Sequence, residues 1–366
     1  MKPRIVILRG HSANPWDLRP WELLRDRFDV RVLVTGSNAF DVSELELPVE
    51  HIGALRDRFP KGRGGDLAAL ALGDRYVGLE EKLRGADVVH AAEIGVPYSH
   101  GPALLRDELG FRLVLTVWET IPFGEAYRRF RGKRQRRETI PRVDLFLPAT
   151  ERARRMLLLE GAPDDRCVVA SPGIDASRFS VTGPPASHLV LSAGRLVWEK
   201  GHQDVLRAVA WLRREGRDVR ALIVGAGPEG ERLRAHARDL GIENAVEWRT
   251  SVPYDEMPSV FARASCFVLA SLPTRFWEEQ FGMVLAEAAA SGLPIVAALS
   301  GAIPEVLDGH GTLFPPGDWN ALARSLDQLV AAPPARATYG DLVQRYSVEA
   351  AADRYAAAYE RVLSSA

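Results

Sequence analysis

The 366-residue sequence predicts an α/β fold, with two Rossmann-like, doubly wound parallel sheets facing a cleft. Three observations carry that expectation. The chain is longer than one hydrophobic core usually serves, so two domains are expected. Short apolar runs alternate with longer amphipathic ones along its length. The short runs are almost continuously apolar, as strands are when helices cover both faces of a sheet.

In the first half, 4-RIVILRG, 30-VRVLV, 86-ADVVHA, 112-RLVLTVW, 143-VDLFLPAT and 166-RCVVASPG read as strands. The stretch 180-SVTGPPAS has no periodicity and is rich in Gly, Pro and Ser, which makes it the expected linker. A second strand set follows in 188-HLVLSAG, 219-VRALIVGAG, 245-AVEWRTS, 265-SCFVLAS, 293-LPIVAA and 311-GTLFPPGD. The closing 346-YSVEAAADRYAAAYERVL reads as an Ala-rich helix with Ser347 as its N-cap. The expected domains are residues 1–180 and 187–345, with ligands at the carboxyl ends of the strands.

Bulk composition narrows the function. Apolar content of 46% and charged content of 26% are those of an ordinary globular protein. A net charge of −1 gives no reason to expect nucleic acid. Cys167 and Cys266 sit in strand-like runs, so two buried free thiols in a reducing cytoplasm are expected. No run resembles a signal peptide or approaches a membrane span.

Four segments invite chemistry. The run 221-ALIVGAGPEGERL has the form of a dinucleotide fingerprint, Gly225-x-Gly227-x-x-Gly230, with Glu247 near the place of a ribose-binding acid. It belongs to the second strand of its domain and carries Pro228 within the loop, which favours a plain turn. In 189-LVLSAGRLVWEKGHQDVLRAV, a strand ends at Gly194, a helix starts near Gly201, and Arg195 and Lys200 occupy the turn. A guanidinium, an ammonium and a helix N-terminus together suit a diphosphate. The alternative is a solvated loop. Against it, Lys2, Lys61, Lys82, Lys133 and Lys200 are the only lysines in an Arg-rich chain, so a lysine here favours a point-charge role.

The stretch 276-FWEEQFGMVLAEAAASGLPIVA carries Glu278 and Glu279 in a loop, and a helix is expected from Phe281 or Gly282, with Glu287 about one turn inside. Carboxylates repel phosphate, so sugar or ribose hydroxyls are their expected partners, while the helix-start amides are free donors. A glycosidase-type acid/base pair is the rival, but it leaves Arg195 and Lys200 without a role. An ordinary N-terminal-turn glutamate plus a solvent-facing helix glutamate is the other alternative. Finally, 127-YRRFRGKRQRRE places seven cations in a dozen residues. It reads as a solvated helix face, with docking on anionic lipid through residues 128–137 as the alternative.

Together these segments resemble glycosyltransferase family 4, the retaining nucleotide-sugar enzymes of the GT-B fold. The resemblance rests on 194-GRLVWEKG, on the E-x-F-G of Glu279 with seven residues between Glu279 and Glu287, and on 293-LPIVAALSGAIPEVL. The segments 87-DVVHA, 172-PGIDASRF and 346-YSVEAAADRY are also similar. It implies that the helix of residues 346–366 returns to the first domain. It further implies that Arg195 and Lys200 hold the donor diphosphate, that Glu287 binds ribose and that Glu279 holds a hydroxyl of the transferred sugar. Amides around Phe281, Gly282, Met283 and Val284 would meet sugar or phosphate, and Val252 falls where the nucleobase is contacted. Glu279, Arg195 and Lys200 would be the catalytic set, acting by electrostatics and orientation.

The implied reaction is hexosyl transfer, with retention, from a nucleotide-diphosphate sugar, UDP- or GDP-linked, to a hydroxyl of a carbohydrate or glycolipid acceptor. The resemblance implies no cofactor and no metal for the chemistry, and no Asp-x-Asp motif stands at the donor site. The acceptor side departs from the family: 9-RGHSANPWDLRPWELL holds only Gly10 where a glycine-rich loop is common, and Trp118 and Glu119 stand where a His is common. Gly10, Trp16, Trp118 and Glu119 are the candidate acceptor residues, with core packing of the tryptophans as the alternative. A sugar-nucleotide epimerase, a phosphorylase and a non-catalytic nucleotide-sugar-binding protein are the competing functions. A cytoplasmic location, peripheral on the inner membrane face if the basic segment meets lipid, completes the expectation.

Overall fold

Strand β1 (Arg4–Leu8) pairs in parallel with β2 (Asp29–Thr35) on one side and β5 (Val88–Ala92) on the other, so strand order reverses at β1. The whole sheet runs β4-β3-β2-β1-β5-β6-β7, adding β3 (Val49–Ala54), β4 (Tyr76–Val77), β6 (Arg112–Val117) and β7 (Leu145–Pro148). Its described pairings are parallel except β3 with β4. The computed structural model describes all residues except 61, 125–129, 181–187, 251, 332–335, 337 and 366.

Alternate strand residues face opposite sides of the sheet. Ile5, Ile7, Val30, Val32, Val88 and Val114 join one core with Trp21, whereas Val6, Leu8, Leu33, Val89 and Leu115 join the other. Both faces are therefore covered, which is why these strands read as unbroken apolar runs. Strands β3 and β4 escape that signal. VEHIGA buries only Ile52 and Ala54, and two residues at a sheet edge show no period. The expected strand 166-RCVVASPG is reduced to a parallel bridge between Phe146 and Cys167. The Val168 and Ala170 amides still bond the β7 edge, but Pro172 has no N–H with which to continue.

The second sheet runs β10-β9-β8-β11-β12-β13, all parallel. It comprises β8 (Leu189–Ala193), β9 (Arg220–Val224), β10 (Val246–Arg249), β11 (Cys266–Leu269), β12 (Ile295–Ala298) and β13 (Thr312–Phe314). Here the order reverses at β8. The chain divides into Met1–Gly173 with Ser347–Ala366, and Ile174–Tyr346. The division falls at Gly173–Ile174 rather than at the expected linker, which beyond Ser180 lies outside the described residues. Residues 174–180 belong to the second unit, with Phe179 edge-on to Phe261.

The closing helix (Val348–Ser364) starts at Ser347, whose Oγ accepts the Ala350 amide at 3.1 Å. It packs in the first unit: Tyr355 stacks on Trp21, and Trp21 Nε1 donates to the Tyr359 oxygen at 2.6 Å. The Tyr359 hydroxyl meets His90 Nδ1 at 2.7 Å, and burial holds His90 well below its usual pKa. A neutral His90 thus joins β5 to the last helix. Cys167 and Cys266 are buried free thiols, pushed by burial up to about 11 and about 12.

Candidate functional site

In the second unit, the reversal beside β8 brings the ends of β8 and β11 side by side, the place where doubly wound sheets receive ligands. The turn after β8 leads to the helix His202–Arg214 through Gly201. Gly201 has φ +69°, and a Cβ there would lie 1.8 Å from the Ala270 carbonyl oxygen. Only glycine lets the turn press this closely on the end of β11. The contact brings Lys200 to Glu279: Nζ donates to Oε2 at 2.7 Å, and the Ser271 hydroxyl donates to the same oxygen at 2.6 Å.

Lys200 Nζ also lies 5.0 Å from the centre of the Trp277 ring, within cation–π range. The 274–277 turn that presents this ring is closed by Thr274, whose amide donates to the Trp277 carbonyl at 2.7 Å. Glu279 is 5% exposed, and its carbonyl accepts the Ala302 amide at 2.8 Å, which anchors it to the loop after β12. Arg195 is exposed, with no ion-pair partner among the described residues. Its carbonyl instead meets His202 Nε2 at 3.3 Å, while His202 Nδ1 meets Ser192 Oγ at 3.0 Å. Burial pushes His202 down to about 4, so a neutral imidazole braces the turn.

The helix Met283–Ala290 starts from Gly282 in left-handed conformation, with no side chain over the first turn. Phe281 is buried and packs edge-on against Tyr346, so its ring belongs to the core. Met283 and Val284 are half-buried on the first turn. Glu287 lies deeper in the helix, 4% exposed, and its Oε1 accepts the Tyr254 hydroxyl at 2.9 Å. Val252 is half-buried two residues before Tyr254. The structure thus groups Lys200 with Glu279, and Glu287 with Tyr254. Ser271, Trp277, His202 and Tyr254 were not read from the sequence. Their roles depend on neighbours remote in the chain.

The fingerprint-like glycines serve packing. A Cβ on Gly225 would stand 1.9 Å from the Gly194 carbonyl oxygen, and the Gly225 amide donates to Arg249 O at 2.8 Å. Glu247 is paired with Arg263 at 2.6 Å and Arg249 at 3.3 Å.

In the first unit, Gly10 donates its amide to the Tyr76 hydroxyl at 2.9 Å and accepts Thr35 Oγ1 at 3.2 Å. Trp16 opens the helix Pro15–Glu22 beneath the Arg19 guanidinium. The Trp118 amide donates to Glu93 Oε1, and Glu119 Oε1 caps its own loop through the Thr120 and Ile121 amides, each at 2.8 Å. In the basic helix Phe130–Thr139, Arg131 bonds the Ala71 carbonyl, Arg134 pairs with Glu138 and Arg136 pairs with Glu160. Lys133 and Arg137 remain exposed, and residues 128 and 129 lie outside the described set. No helix among the described residues is long and apolar enough to cross a membrane.

Two family models together match residues 21–345: "Glycosyltransferase Family 4" over residues 21–178 and "Glycosyl transferases group 1" over 174–345. The chain belongs to glycosyltransferase family 4. Among relatives of this family 4 chain, a GDP-mannose-dependent alpha-(1-6)-phosphatidylinositol monomannoside mannosyltransferase of Mycolicibacterium smegmatis is 34% identical over 187 residues, covering 46% of this chain and 48% of the relative. A D-inositol 3-phosphate glycosyltransferase of Streptomyces coelicolor is 31% identical over 256 residues, covering 61% and 55%. The match spans about half the length of these curated relatives.

Solved structures agree over the whole family 4 chain. Anabaena HepE with UDP and glucose superposes with a TM-score of 0.77 at 20% identity, covering 99% of this chain and all of the other. Sucrose-phosphate synthase from Thermosynechococcus elongatus superposes with a TM-score of 0.72 at 18% identity, covering both chains fully. At such identities the likeness establishes the GT-B fold.

Proposed function

We propose that this chain is a retaining glycosyltransferase that moves a hexosyl unit from a nucleotide-diphosphate sugar to a hydroxyl acceptor. The observation that carries the reading is the Lys200–Glu279–Ser271 cluster at the strand ends where β8 and β11 meet. Arg195, Lys200 and Glu279 together carry one net positive charge, ready for an anion larger than Glu279 itself. Lys200 has three donors and uses one on Glu279, which leaves others for a phosphate oxygen. Arg195 adds a guanidinium with no competing carboxylate.

The proposed roles are those the family resemblance implies. Arg195 and Lys200 neutralise the diphosphate as it leaves, and Trp277 limits where the ammonium sits. Glu279 holds a hydroxyl of the transferred sugar, its orientation set by Lys200 and Ser271. Amides of the uncapped turn at Met283 and Val284 meet sugar or phosphate. Glu287, aligned by Tyr254, binds ribose hydroxyls, and Val252 contacts the base. Attack comes from the face the leaving group vacates, through an oxocarbenium-like state, so configuration is retained without a dedicated base. UDP- and GDP-sugars are the proposed donors: one relative is named for GDP-mannose, and HepE was solved with UDP. Chemistry independent of metal and cofactor is part of the proposal.

A thermal-shift screen against UDP-, GDP- and ADP-sugars tests it, because a ligand that binds only the folded state must raise its melting temperature. Stabilisation by a UDP- or GDP-sugar, lost in Glu287→Ala, is the expected result. No shift with any of them overturns the reading.

A further inference from the structure

The first unit holds a carboxyl group that the donor chemistry leaves unused. Glu93 immediately follows β5, and β5 adjoins β1 where the strand order reverses. This is the equivalent of the position that the Lys200 cluster occupies in the second sheet, and it is where such sheets receive ligands. Gly10 and Glu93 each follow the Ile7–His90 pair by three residues, so both loops leave the sheet side by side.

The backbone at Glu93 is unusual. Its φ is +66°, a left-handed conformation that a side-chain-bearing residue adopts only when its surroundings impose it. The Glu93 amide donates to the Thr116 carbonyl at 2.8 Å, which extends the β5–β6 ladder by one bond. The left-handed turn then directs the carboxyl group to the end of β6, where Oε1 accepts the Trp118 amide at 2.8 Å. The Glu119 amide also favours the charged form of this carboxyl. Oε2 is different: it is buried and has no hydrogen-bond partner among the described residues.

A buried acceptor without a donor is uncommon in a native protein, and here it coincides with a strained backbone. At a strand end on the switch point, that combination suits a ligand-binding group. Burial pushes Glu93 up to about 7, the Glu119 carboxylate adds to the rise, and the Arg9 guanidinium opposes it. Those two groups, from the ends of β6 and β1, are the charges that act on it. By contrast, Glu119 has already turned one oxygen onto its own loop.

We propose that Glu93 is an acceptor-binding residue, whose Oε2 receives a hydrogen bond from a hydroxyl of a polyhydroxylated acceptor such as a sugar. The inference rests on the glycosyltransferase reading above. Oε1 is pinned by the Trp118 amide, so Oε2 is presented in one orientation and selects one hydroxyl geometry. Phosphate is a poor partner for a carboxyl group, so the part of the acceptor that meets Glu93 is a hydroxyl and not an anionic group. Glu93, not Glu119, is then the carboxyl group that sets acceptor specificity.

The test uses the full chain, with UDP-glucose and GDP-mannose as donors and methyl α-D-mannoside, methyl α-D-glucoside and myo-inositol as acceptor probes. In Glu93→Gln the acceptor KM is expected to rise roughly 10–100-fold, as for loss of a hydrogen bond to a charged group, while the donor KM and UDP or GDP affinity stay unchanged. At pH 8, where the carboxyl group is ionised, an acceptor KM within about two-fold of wild type overturns the role, because a hydrogen bond to a charged group is worth more than that. Nucleotide binding by the wild type without transfer to any probe overturns the polyhydroxylated class. Absence of nucleotide binding overturns instead the glycosyltransferase reading. If Glu93→Gln does not fold, glutamate labelled with ¹³C at the side-chain carboxyl decides the matter in the native protein. The acceptor probes must move a glutamate side-chain carboxyl signal that nucleotide alone leaves in place, and the absence of any such shift overturns the assignment.

Discussion

The two sheets place functional groups at the same topological point, beside the strand where the order reverses, but they treat those groups differently. In the second unit the charges are mutually engaged: Lys200 and Ser271 converge on one oxygen of Glu279, and Tyr254 aligns Glu287. In the first unit the corresponding carboxyl group, Glu93, keeps one buried oxygen without a hydrogen-bond partner among the described residues, on a left-handed backbone. On the proposed reading, the paired charges of the second unit are preorganised for a constant ligand, the nucleotide diphosphate, and the unmatched oxygen of the first unit receives a hydroxyl of the acceptor. The proposal thus separates a generic donor end from an individual acceptor end.

The largest expected effect falls on the paired side. Lys200→Ala should lower turnover on the order of 10²–10³-fold with the fold intact, as for loss of one preorganised electrostatic donor. Near-normal steady-state turnover would remove Lys200 from the leaving group and dissolve the contrast. Next, Glu287→Ala should weaken UDP or GDP binding by roughly 10–100-fold, and Tyr254→Phe by about 2–10-fold, since only a neutral hydrogen bond is lost there. Calorimetry showing equal losses in both variants would mean that the pair acts as one unit.

Protonation sharpens the comparison because its sign differs between the units. Glu93, raised to about 7 by burial, holds its proton more tightly in the native chain than in the unfolded one. Stability is therefore lost as pH rises from the ordinary carboxylate range through 7, by at most about 3 kcal/mol. Glu93→Gln should melt higher than wild type at pH 8 and alike at pH 5. His202, lowered to about 4 by burial, has the opposite sign. It costs stability as pH falls from its ordinary value near 6.5 through 4, and His202→Gln should lessen that acid sensitivity. Calorimetric melting of both variants across pH checks each sign separately. The smallest effect concerns the basic helix, where Lys133 and Arg137 are the exposed cations without an ion pair among the described residues. Neutralising both should weaken any low-salt binding to anionic liposomes by about 1 kcal/mol per residue, and sedimentation of wild type and variant alike without lipid would dismiss the contact.

Legibility followed the same division. The residues proposed to bind the donor, Arg195, Lys200, Glu279 and Glu287, stood out because turn, helix start and charge lie close together in the chain. Neither Ser271 nor Trp277 announced itself, since each acts on Lys200 or Glu279 through a contact made only in the folded unit. Glu93 was less visible still. In 86-ADVVHAAEIG it is one acid after an apolar run, and neither its φ nor its unmatched oxygen has a sequence signature.

The sequence by itself determined two parallel sheets, their principal strands, the capped closing helix and the charged turn of the donor side. Those follow from apolar runs, N-cap chemistry and short-range spacing, which are local properties of the chain. Tertiary structure alone decided the edge strands β3 and β4, the unit boundary at Gly173–Ile174, the bracing of Lys200 and the burial of one Glu93 oxygen without a hydrogen-bond partner among the described residues. These depend on which distant backbone a side chain meets and on how much water is excluded there. Such quantities exist only once the sheet has closed.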